Sequence, residues 1–131
     1  MYGGHNMRNA IRTKLMNDVP ALKGVYQPSF ADERTEKPYA VVKFGVESEA
    51  NISKSFNRTV EIWVYTERQN YNIIDGIVND CVKSLNRVEL TTDKGIIFAL
   101  ELTSISPDGF PDPELKAFSK TISFTHGFIR K

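Results

Sequence analysis

Hydrophobic and polar positions in this chain alternate in some stretches and recur every three or four residues in others, and the two periods are sharpest side by side in residues 57–85. Val60, Ile62 and Val64 alternate with Thr59, Glu61 and Trp63, which predicts a strand with one buried face. After a polar break at residues 67–70, Tyr71, Ile74, Ile77, Val78, Cys81, Val82 and Leu85 recur at helical spacing, so an amphipathic helix is expected to lie back on the sheet. Burying six or seven such side chains contributes roughly 10 kcal/mol before the entropy of ordering the chain is subtracted, enough for this unit to nucleate the core.

The same reading extends to both sides. Asn6 is placed to cap a first helix with Met7, Ala10, Ile11, Leu15 and Leu22 on its apolar side and Pro20 and Gly24 ending it; Arg8, Arg12 and Lys14 fall on a solvated face. Residues 24–27 read as a short strand and residues 29–38 as a polar surface loop. Ala40, Val42, Phe44 and Val46 alternate in a second strand, joined to the strand near Arg58 by residues 47–56, a connection too long for a tight turn. This hairpin is expected to project, with Ile52 and Phe56 as apolar groups it must hide.

Beyond the central helix, residues 88–90, the turn Thr92-Asp93-Lys94-Gly95 and residues 96–105 predict another hairpin, with Ile96, Phe98, Leu100 and Leu102 on one face. Residues 106–118 hold Pro107, Pro111 and Pro113 and are expected to run as a shaped loop exposing Phe110, Leu115 or Phe118 unless it packs. Residues 119–129 form a last strand with Ile122, Phe124, His126 and Phe128 aligned. The order helix, three strands, helix, two or three strands implies one α+β domain over residues 1–131, an antiparallel sheet with both helices on one face. Trp63, Tyr65, Ile97, Ala99 and Ile105 then lie on the uncovered face, which suggests that this face meets another subunit or a partner.

Composition narrows the function classes. The formal charge is +1, from 17 basic and 16 acidic side chains without a polybasic block, so tight binding to free nucleic acid is not expected. The single cysteine, on the apolar stripe of the helix, excludes an internal disulfide framework. No export signal or membrane span is expected from the pattern. No phosphate-binding loop, zincin, nucleophile-elbow or paired-cysteine motif occurs. His126 reads as a hydrogen-bonded core residue, and Asp108, Asp112 and Glu114 as a solvated loop cluster rather than a cation site, so neither a cofactor nor a catalytic residue is assigned.

Over nearly its whole length the chain resembles the small tail terminator proteins of long-tailed bacteriophages, also called tail completion or tail-to-head joining proteins. The likeness is carried by MRNAIRTKLMND, ALKGVYQ, KPYAVVKFG, RTVEIWVYTERQNYNIIDGIVNDCVKSL and KTISFTHGFIRK. The resemblance implies a non-enzymatic virion protein at the junction of tail and head, assembled in the host cytoplasm. It would form a ring, usually of six, that caps the tail tube, binds the tube protein and the head-completion or connector protein, and lets genomic DNA through without reading its sequence. A rotational ring needs two different contact surfaces per subunit. Ile52, Phe56, Trp63, Tyr65 and Phe110 are the candidate contacts. Two alternatives stay open: another neck or head-completion protein, and a small ligand-binding or enzymatic domain with a pocket under residues 107–118.

Overall fold

The computed structural model describes residues 2–32, 34–44, 58–67, 71–106, 109–113 and 115–128. Along these run α1 (Tyr2–Asp18), β1 (Val25–Tyr26), β2 (Tyr39–Phe44), β3 (Arg58–Thr66), α2 (Tyr71–Leu85), β4 (Glu89–Thr91), β5 (Ile97–Ile105), β6 (Phe110–Asp112) and β7 (Ala117–Phe128). The fold is α+β, as the periodicities imply. Strands follow the order β1-β2-β3-β7-β5-β4, and β6 pairs with the start of β7.

The sheet is mixed rather than purely antiparallel, because β1 runs parallel to β2 with Val25 opposite Ala40. A parallel neighbour is possible here because the long connection through residues 27–38 returns the chain before β2 begins. All other strand pairs are antiparallel.

Both helices cover the same face. Met7, Ile11 and Leu15 of α1 and Ile74, Ile77, Val78, Cys81 and Leu85 of α2 bury against Val42, Ile62, Phe98, Ile122, Phe124 and their neighbours. α2 lies over the central strands β3, β7 and β5, whereas α1 touches β1 and β2 on one side and β4 on the other. The sheet therefore curls around α2, and α1 closes the opening between its two edges, which leaves neither edge as a long free template for another strand.

Three boundaries differ from the sequence reading. α1 begins at Tyr2, so Asn6 lies inside the helix and not at its cap, although its end falls as expected, with Val19 N–H donating to Leu15 O at 2.8 Å just before Pro20. Within residues 106–118 a three-residue strand forms: Pro111, facing Phe118, sits in the middle of β6, where a strand this short gives up little ladder. Lastly, a bulge between Leu102 and Ser104 inserts one residue into β5, so Ile105 comes opposite Ile122 and packs against the helix-covered core rather than on the outer face.

Candidate interaction surfaces

The face of the sheet turned away from the helices is not uniformly apolar. At the β2 end Tyr39, Val41, Tyr65 and Ala117 form a second buried cluster, flanked by Tyr26, Ala31, Trp63 and Leu115. Rings stack in sequence through it: Tyr65 on Tyr39 at 4.9 Å, Tyr39 beside Tyr26 at 5.8 Å, and Tyr26 on Phe30 at 5.0 Å. Tyr65 is thus covered, and burial pushes its hydroxyl up to about 12. Burial raises the Tyr39 hydroxyl further, and Tyr39 Oη has no hydrogen-bond partner among the described residues.

Trp63 is half-buried beside this cluster. Its Nε1 donates to Glu61 Oε1 at 2.9 Å, and the Lys43 ammonium sits 3.9 Å from its ring centroid. The side chain is held in place while part of it stays accessible. Past Trp63 the same face becomes hydroxyl-rich: Thr59, Thr103, Thr121, Ser123 and Thr125 occupy β3, β5 and β7 beside Glu61 and Glu101. Ile97 and Ala99 are half-buried at its far side.

Along the β1 edge the basic residues of α1 do more than face solvent. Arg12 Nε donates to Val25 O at 2.6 Å, and Arg8 Nε donates to Val42 O at 3.3 Å while its guanidinium lies 4.8 Å from the Phe44 ring centroid. Each fills a backbone acceptor that the short β1 leaves open. With Asn9, Tyr26, Gln27 and Phe30 they line a cleft of about 290 Å³. Phe30 stands at its mouth with 63% of its surface exposed.

Reactive chemistry is sparse among the described residues. Cys81 is fully buried, and burial together with Asp80 pushes its thiol up to about 12, so it is no nucleophile near neutral pH. Asp112 accepts from the backbone N–H of Leu115 at 3.2 Å, which makes it part of the turn between β6 and β7. The described residues hold no group of three or more His, Cys, Asp or Glu arranged for a metal ion, and no helix long and apolar enough to cross a membrane.

Of the five residues singled out in the sequence, Trp63 and Tyr65 adjoin each other in this outer region, one partly open and one covered. Phe110 is placed through its backbone, opposite Ser119. Ile52, Phe56 and the whole of residues 47–56 lie outside the described residues, as do Asp108 and Glu114. The reading of residues 29–38 as a polar loop hides Phe30; a lone aromatic ring within a polar segment is the signal that marks it.

No protein-family model matches the chain, and neither does any curated protein. Among solved structures the fold is similar to that of a chain in the virion of a native gene transfer agent particle, with a TM-score of 0.65 and 15% sequence identity over 98% of this chain and 98% of that one.

Proposed function

We propose that this protein is a non-enzymatic structural component of a phage-like virion, and more specifically the tail terminator: a ring, usually of six copies, that caps the head-proximal end of the tail tube, ends its growth and joins it to the head connector. The observation that carries the reading is the end-to-end likeness to a virion chain, since a match over 98% of both chains leaves no extra domain in either to account for a different role. It agrees with the resemblance read from RTVEIWVYTERQNYNIIDGIVNDCVKSL and the flanking segments.

The physics of the subunit suits this role. Two separated surfaces are available for head-to-tail contact, the outer region around Trp63 and the cleft edge bearing Phe30. Trp63, Phe110, Ile52 and Phe56 remain the proposed contacts with neighbouring subunits, the tube protein and the connector, and Tyr65 supports Trp63 from beneath. A formal charge of +1 suits a channel through which DNA passes without sequence-specific binding.

The test is to assemble tails with the gene deleted and image them by negative stain. Overlong tails lacking heads are expected. Tails of normal length that fail only to acquire heads would assign the protein to the connector side instead.

A further inference from the structure

Gly76 occupies the interior of α2, where a glycine lowers helix stability, and a Cβ placed on it would meet nothing within 4 Å. It is exposed, and packing within the subunit therefore gives no reason for the missing side chain. One turn earlier Ile73, off the apolar stripe, is 50% exposed; one turn later Asp80 is exposed, with Lys83 at the helix end. The outer side of α2 is thus a shallow hollow over bare backbone, walled by an apolar side chain and edged by a carboxylate.

The cleft at the β1 edge has the opposite form. Phe30 projects from it and is held from behind by its 5.0 Å stack on Tyr26. Its loop is fixed by hydrogen bonds from Phe30 N to Gln27 O, Asp32 N to Thr35 Oγ1 and Arg34 N to Asp32 Oδ1. Arg8 and Arg12 stand beside it, and neither forms an ion pair with a described residue. A rigid aromatic knob next to two guanidinium groups suits a hollow with an acidic edge in shape and in charge.

We infer that these surfaces are the two halves of one head-to-tail contact: Phe30 of one copy seats on the Gly76 backbone beside Ile73 of the next copy, with Arg12 facing Asp80. The contact rests on the ring reading given above, and it names where the ring is sealed. The occupant is a second copy because both halves, complementary in charge, occur on this one chain at separate places, which is what a rotational ring requires.

The experiment measures assembly by sedimentation over a concentration series and on purified tail tubes, alongside the melting temperature of each variant. Phe30→Ala and Gly76→Gln are expected to weaken assembly by about tenfold or more while melting no lower than the parent, Gly76→Gln higher. Because Arg12 also holds Val25 O, proximity is tested by cross-linking rather than by charge reversal. Phe30→Cys mixed with Ile73→Cys should give an oxidised dimer that neither variant gives alone, since the Cys81 thiol is buried. If the parent assembles and both assembly variants match it with no Phe30–Ile73 cross-link, this contact is wrong and the ring reading stands. If the parent assembles neither free nor on tubes, the ring reading and the contact fall together.

Discussion

The ammonium of Lys120, on the helix-covered side of β7, meets Oδ1 of Asp75 on α2 at 2.7 Å. Lys120 is 9% exposed among apolar neighbours, so its stem contributes packing while its head reaches a carboxylate at the rim of the core. The pair fixes the position of α2 along the sheet. Removing the acid leaves a nearly buried charge short of its partner, whereas removing the charge and keeping the stem does not. Asp75→Ala should therefore lower stability by about 1 kcal/mol, and Lys120→Met should stay within about 0.5 kcal/mol of the parent, read as the urea midpoint at constant slope. A Lys120→Met loss larger than that of Asp75→Ala would show that the ion pair, and not the packed stem, matters more.

Acid should loosen the junction of the two helices. Asp18 accepts from Lys14 Nζ at 2.7 Å and from Ser84 Oγ at 2.8 Å, and these hydrogen bonds hold its carboxyl below the usual range, Lys14 first and Ser84 second. A depressed folded-state value means that the stabilisation is fully present above the unfolded carboxyl pKa of about 3.9 and is lost as pH falls through the lower folded value. Melting temperatures from pH 6 down to pH 2 should consequently converge for Asp18→Asn and the parent at the acid end, with the parent ahead only at higher pH. A constant gap across the range would mean that the pair does not set this acid response.

The alkaline side should show the opposite slope. The Cys81 thiol and the Tyr65 hydroxyl are each pushed up to about 12 by burial. Both stay protonated in the fold while the unfolded chain releases protons, so their contribution is intact below the unfolded values and declines as pH rises toward 12. Ellman's reagent at pH 8 should label Cys81 only as fast as the protein opens, and at once in urea. Rapid labelling of the folded protein would contradict the burial of this thiol.

How far the fold is legible depends on where each period holds. The α2 stripe, from Ile74 through Leu85, and the alternation in β3 carry their own register, because every apolar side chain there meets the core at regular spacing. Ile105 fails as a reading because the rule of two assumes an unbroken strand. Thr103 interrupts it by bulging outward, its Oγ1 donating to Ser123 O at 2.9 Å, and nothing in the composition of this stretch marks a bulge. The parallel β1 is equally unreadable, since two residues carry no pattern and their pairing is decided by Arg12 and the return of the chain. Tyr65 looks exposed by alternation and is covered only because distant Tyr39 and Leu115 converge on it. The bulge makes a direct prediction: Ile105→Ala should cost about 2 kcal/mol, and Ile97→Ala less than about 1 kcal/mol, although strict alternation assigns both to the same outer face. Equal losses in denaturant titrations would remove the bulge from the account.

Gly76 offers the cleanest separation between what the subunit needs and what its surroundings need. A helix glycine is retained in a fold either for a backbone angle that other residues resist or for close packing against it. Among the described glycines only Gly95, at φ 83°, has the left-handed angle, and the Cβ position of Gly76 is open space. Neither reason operates inside the monomer. Gly76→Ala should then raise the stability of the dilute, dissociated subunit by roughly 0.5–1 kcal/mol through helix propensity and reduced freedom of the unfolded chain. Chemical denaturation at low protein concentration measures this, and the shift should be the same in fluorescence and circular dichroism if unfolding remains two-state. A destabilising Gly76→Ala would mean that something within the fold already rests on that backbone, and α2 would then have no hollow to offer.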